Sequence, residues 1–291
     1  MILRKQSAPL LPWLSSACPC NVFASFLLVF ALFPASSLHS ESPLSEKNQT
    51  PWRNASVFLF NDAYAGFVKN ADSADPMNRL GQAATLLNTQ PRTSQNIAAA
   101  QEILLDLSQN PSPHSTLSKL SRFLLARIEE NYLTPPQLGE AKSRYLEIVK
   151  DKTGIPLLEL SASRLVALTT FAKDKPSENL AALAALEPLA GFLTTPEGTR
   201  EFHLAMGLAI LENEGDPNLV LSHLIKADKI GFRRKENVIH NWLVIARLSE
   251  KIGNKNLATE YYQRFINNFP NDPKTFGIQH RLTNLTKNGA N

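Results

Sequence analysis

From Ser56 onward, apolar residues recur three and four positions apart, and no stretch shows convincing one-in, one-out alternation. That spacing puts them on one face of a helix. Phe60, Tyr64, Phe67 and Val68 form a first stripe, and Met77, Leu80, Ala84 and Leu87 a second. Ile97, Ala100, Leu104 and Leu107 follow, then Leu117, Leu120, Leu124 and Ile128, then Leu138, Ala141, Tyr145 and Ile148. Leu158, Leu165, Leu168 and Phe171 are expected to face Leu180, Leu183, Leu186 and Leu189 across a loop holding Lys173 to Pro176. The pattern predicts an all-α chain of short amphipathic helices joined by tight turns.

The punctuation agrees. Thr194 with Glu197 three residues on reads as a capping box, with Pro196 in the first turn. Asp216-Pro217 and Asp272-Pro273 each place an N-cap acid before a proline suited to a first helical position. Gly231 and Gly253 fall where helices should end, as residues free to take positive φ. Pro188 lies inside an alanine- and leucine-rich stretch, which predicts a kink or two shorter helices.

The segments also align with one another. In Glu236–Pro270, Trp242 opens a helix, Ile245, Ala246 and Ser249 follow, and Lys251 to Asn254 make a turn. A second helix presents Ala258, Tyr262 and Phe265 before Pro270 stops it. Small residues at Ala246 and Ala258 let the helices approach, while Trp242, Tyr262 and Phe265 fill the space between pairs. This unit resembles the tetratricopeptide repeat (TPR), a helix–turn–helix of about 34 residues. The preceding unit keeps the register, with Gly207 at the small position and Val220, Leu224 and Ala227 on its second helix, given one inserted residue in Asn213–Asp216. Ala141, Tyr145 and Ile148 repeat the second-helix pattern, and Ala99, Ile103 and Pro111 echo it. The resemblance implies a TPR-like α-solenoid of stacked antiparallel helix pairs over 56–291, best defined at 236–270. Pro273–Thr286 is expected to close it as a cap helix, with Phe276, Leu282 and Leu285 inward and Lys274, Gln279 and Lys287 outward. Tyr261 to Ile266, followed by Phe269 to Pro273, is further similar to repeats of exported bacterial cell-envelope TPR proteins, which implies a periplasmic scaffold for a protein or peptide partner.

Composition is that of a folded protein: 291 residues, 43% hydrophobic and 19% charged. The N-terminus has a basic start, an apolar run at Val22–Phe33, a breaker at Pro34 and small residues at Ala35 and Ser37. This is the layout of a secretory signal, expected to cover 1–40, with a polar linker at 41–55. The run is too short to span roughly 30 Å of hydrocarbon unaided; a tether by an uncleaved leader is the alternative. Of 30 lysines and arginines, Arg4 and Lys5 lie in this leader, leaving 28 against 26 acidic residues, a near-neutral balance that argues against a nucleic-acid partner. Both cysteines, Cys18 and Cys20, lie there too, so thiolate chemistry and disulfides are not expected in the mature chain.

Little in the remainder points to chemistry. His114, His203, His223, His240 and His280 are scattered without a zinc-helix spacing, and no P-loop, GxSxG or GxGxxG occurs. No cofactor and no metal site is expected, and the chain reads as a non-enzyme. The other class, an enzyme on a helical scaffold, would need convergence of residues such as Arg200, Glu201 and His203. Lys226, Lys229, Arg233, Arg234 and Lys235 form a basic run, which is either an anion or acidic-peptide contact or a solvated turn. Asn48, Asn54 and Asn284 head N-glycosylation triplets that a bacterial source would leave without meaning.

Overall fold

The computed structural model describes residues 46–70, 75–109, 116–151 and 155–287. These hold thirteen α-helices and one 3-10 helix, and no strand. In chain order they are α1 (Glu46–Ser56), α2 (Phe60–Lys69), α3 (Pro76–Leu86), α4 (Ser94–Gln109), α5 (Thr116–Asn131), α6 (Leu138–Lys150) and α7 (Ile155–Thr170). Then come α8 (Pro176–Ala184), the 3-10 helix (Glu187–Phe192), α9 (Pro196–Glu212), α10 (Pro217–Ile230), α11 (Lys235–Lys251), α12 (Lys255–Asn268) and α13 (Thr275–Lys287). The chain divides into two compact units at Ser161/Ala162, inside α7. The proposed signal at 1–40 lies outside the described residues.

In the first unit each helix from α1 to α6 packs on its sequence neighbour, except that Gln109 to Thr116 is described only at its ends. Segment 41–55, read as a linker, becomes helical from Glu46 despite Pro51. Packing overrides propensity there. The Pro51 ring lies over Gly66 of α2, Ala55 is fully buried, and Trp52 meets Phe67 edge-on with ring centroids 5.1 Å apart. Asn48 is buried and bonded to Asn78 and Asp75, so it is a structural amide. Antiparallel pairing of α5 and α6 is fixed by Lys119–Asp151 at 3.0 Å and Arg144–Glu129 at 2.6 Å. Burial pushes the Glu129 carboxyl up, against the pull of Arg144. Between the same helices, Tyr145 donates to Glu130 at 3.0 Å and Arg127 at 3.2 Å completes a buried triad. In α4 the inward residues are Ala100, Leu104 and Leu107, as the stripe predicts, whereas the repeat alignment through Ala99 and Ile103 is one position out of phase.

The second unit carries the clearest pairs. Asp216 caps α10 through the Asn218 N–H, and Pro217 takes the first turn. Thr195, not Thr194, caps α9, accepting from Gly198 N–H at 3.0 Å, since Pro196 occupies the first helical position. Gly207 meets α10 so closely that a Cβ there would lie 2.7 Å from Leu224 Cδ2. In the turn at Asn213–Asp216 Glu214 takes φ 55, a left-handed conformation. Pro188 does divide its stretch, into α8 and the 3-10 helix. Gly231 has φ 88 and ψ 157, a region open to glycine almost alone.

Helix α11 and helix α12 run back on each other: Trp242, at the middle of α11 and not at its opening as expected, packs on Phe269 beyond the end of α12 at 5.7 Å, while Glu250 near the end of α11 accepts from Tyr262 at 2.7 Å. Ala246, Ala258, Tyr262 and Phe265 are fully buried and Trp242 nearly so. This is the TPR-like hairpin the repeat predicts.

In α13, Leu282 and Leu285 are half-buried and Lys274, Gln279 and Lys287 exposed, as expected, but Phe276 is not inward. Asp272 accepts from the Lys274 N–H, and the Thr275 hydroxyl donates to the Phe269 carbonyl at 2.7 Å. That tie fixes the helix phase with Thr275 and Ile278 buried, and Phe276 turns outward, 83% exposed. Val68, Leu138 and Phe171 are likewise exposed, each at or just beyond a helix end where no neighbour covers it.

Candidate partner-binding surface

Asp228 of α10 holds the second unit's hairpins in register. Its carboxylate accepts from Trp242 Nε1 at 2.5 Å, Tyr261 OH at 3.0 Å and Arg264 Nη1 at 2.9 Å. The same guanidinium lies over the Trp242 and Tyr261 rings, 4.4 and 4.7 Å from their centroids. Burial, and then Asp228, push the Tyr261 hydroxyl's pKa up. Sequence reasoning missed this knot because its donors sit 14 to 36 positions from Asp228.

The basic run of the sequence is split by the fold. Arg233 pairs with Glu197 of α9 at 2.7 Å, both exposed. The Glu197 carboxyl is held below the ordinary range by its own backbone N–H and then by Arg233. Lys235 lies over the Phe269 ring at 5.2 Å. Lys226, Lys229 and Arg234 are exposed along the end of α10 and its turn.

Arg200, Glu201 and His203 do not converge. Arg200 bonds Glu201 at 3.0 Å and the Gly231 carbonyl at 3.1 Å, and its guanidinium lies largely covered beside Phe232. His203 turns inward, with its Nδ1 3.0 Å from His223 Nδ1, while His223 Nε2 lies 2.6 Å from Glu187 on the 3-10 helix. Burial, then His223 and Lys226, push His203 down to about 4. Nε2 of His223 is placed to donate to Glu187, and the bond between the two Nδ1 atoms can run in either direction, since each ring nitrogen donates or accepts according to its tautomer. Among the described residues, no group of three or more His, Cys, Asp or Glu is placed to hold a metal ion.

A different polar surface is assembled where α13, packed on α12, reaches Glu250 of α11 through Arg281. His240 feels Lys274 and Arg247 as well as its own burial, and all three lower its pKa. Glu250 sits farther along, 3.5 Å from Arg281. Glu250, Phe276, Gly277, His280, Arg281 and Asn284 line an open hollow of about 570 Å³. Nothing lies within 4 Å of the position a Gly277 Cβ would take, so this wall is open. The hollow joins an exposed aromatic ring to a guanidinium, an imidazole, an amide and one carboxylate. Such a surface suits a chain segment with an apolar anchor and polar flanks. The only signal in the sequence was Pro273, whose turn sets the phase of α13.

Within each unit consecutive helices pair back on one another, from α1 to α6 and from α9 to α13, and with a fully formed helix–turn–helix at 235–268 the described residues are all-α and TPR-like. No family model matches the sequence, and no curated protein matches it. Among solved structures, the crystal structure of the P58(IPK) TPR domain is similar to it at 14% identity and a TM-score of 0.32. The match covers 83% of this chain and 64% of that one, so the chain spans less than two thirds of that structure's length. The fold assignment rests on the helix pairs themselves. Among the described residues, no helix is long and apolar enough to cross a membrane.

Proposed function

We propose that this chain is a non-catalytic, exported scaffold of the cell envelope that holds a segment of another protein against α11 and α13. The hollow beside exposed Phe276 carries the reading, since it offers an apolar anchor point next to Arg281 and His280 for a segment with acidic residues. Stacked hairpins supply a long surface for binding without requiring chemistry. The export part rests on the leader at 1–40. Lys229, Arg233, Arg234 and Lys235 provide a second contact for the same acidic segment.

A photo-crosslinker placed at residue 276 in the native host is expected to trap one protein reproducibly, and a probe at exposed Glu260 of α12 is not. Loss of that adduct in Arg281→Glu would support the surface. Equal adducts at both positions, or none, would count against it. Sequencing the exported protein's N-terminus tests the location: a start near residue 41 supports cleavage, and an intact leader in a membrane fraction supports the tether instead. Arg233→Ala with Arg234→Ala should weaken binding and flatten its salt dependence; unchanged binding removes the second contact.

A further inference from the structure

We propose that the 3-10 helix at Glu187–Phe192 is an acid-released strap, latched at neutral pH to the α9–α10 hairpin through Glu187, His223 and His203. Three elements meet in that line of side chains. Glu187 of the 3-10 helix lies 2.6 Å from Nε2 of His223 on α10, and His223 Nδ1 lies 3.0 Å from Nδ1 of His203 on α9. Both imidazoles are buried, His223 almost completely. The two Nδ1 atoms share one proton well, given by either ring to the other. They have no arrangement for two. With both rings charged, each Nδ1 carries a hydrogen, neither can accept, and two buried cations face each other across the same short contact.

Packing decides which part yields. Gly207 of α9 and Leu224 of α10 meet too closely for those helices to shift cheaply, and Phe202, Met206, Leu224 and Ala227 are fully buried on them. The 3-10 helix is the shallow element: none of its residues is buried and no side chain caps its start. A doubly charged pair is therefore relieved by the His223 ring turning away, and the strap held by Glu187 comes free with it. The surrounding charges do not offset the second proton. At His203 burial, then His223 and exposed Lys226 of α10, all oppose the charge, and Glu187 favours it. Other carboxylates of the packed elements are engaged elsewhere: Glu178 of α8 with Lys175, Glu201 of α9 with Arg200, Asp228 of α10 with Arg264, and Glu250 of α11 with Tyr262 and Arg281. On α11, His240 answers to Lys274 and Arg247. Since His203 is held down to about 4, the latch is closed at neutral pH and opens only as pH falls toward that value. It is separate from the partner surface at α13.

The test uses the full chain with Cys18→Ser and Cys20→Ser, carrying one nitroxide spin label. Gly191→Cys reports the strap, at a position where an added Cβ meets nothing within 4 Å, and Glu260→Cys of α12 is the control. As pH falls from neutral to about 4, the strap label should become several-fold more mobile and recover on neutralisation. The control label and the helical circular dichroism should not change over the same range. Glu187→Ala should give the mobile strap label already at neutral pH. His203→Gln, whose amide can bond His223 without taking a charge, should keep the strap label ordered through the acid range. Four results would overturn the proposal: a strap label that stays ordered in acid, an ordered label in Glu187→Ala, acid release that persists in His203→Gln and so belongs to a carboxylate, or mobility that appears only as helical signal is lost. Crosslinking at residue 276 is read at neutral pH and is unaffected by any of these, so the two readings fail separately.

Discussion

At Gly81 the absence of a side chain decides how closely α2 and α3 approach: a Cβ there would lie 2.4 Å from the buried Phe67 ring. Gly81→Ala gains about 1 kcal/mol in helix propensity but forces a rigid ring to move, an overpacking cost of about 1–3 kcal/mol. We expect a net loss of stability, read as a lower urea midpoint. His203 gives a pH signature. Its folded value is about 4 against an ordinary 6.5, so the unfolded chain takes up a proton first as pH falls. The stability it contributes is fully present above about 6.5, drains away down to about 4, and amounts to about 3 kcal/mol at most. His203→Gln, which can still donate to His223, should flatten the stability–pH curve across that window; an unchanged slope would place the titration elsewhere. The sequence showed His203 at a packing position, and only the fold brought it to His223, twenty residues away.

Among the elements, the hairpin from α11 to α12 was legible almost residue by residue, because Trp242, Ala246, Ala258, Tyr262 and Phe265 follow helical spacing and all point inward. The first helix was not legible. Polar composition and Pro51 argued for a linker, and burial of Trp52 against Phe67 reversed that. The role of Asp228 was equally hidden. Asp228→Ala leaves Trp242 Nε1, Tyr261 OH and Arg264 without their common acceptor, a change of about 2–4 kcal/mol. Chemical denaturation should show it, and Asp228→Asn should recover part of the loss by keeping an acceptor oxygen. A change under about 0.5 kcal/mol would mean the knot adds register without stability.

For the whole molecule, function depends on which faces the stack leaves open. Arg281→Ala combined with Lys274→Ala should change thermal unfolding little, since exposed ion pairs contribute little, while weakening the bound segment and reducing the salt dependence of its binding. Equal binding by the variant would move the partner surface away from α13. The sequence by itself determined the all-α class, the short helices and the TPR-like unit at 236–270, because helix formation and pairing rest on local periodicity, caps and small residues that sit a few positions apart. Tertiary structure decided the rest: that Pro51 lies in a helix, that Arg233 and Lys235 are drawn to Glu197 and Phe269, that His203 faces His223, and that Phe276 points out beside Arg281. Those outcomes turn on helix phase and on contacts between residues distant in the chain, neither of which local spacing encodes.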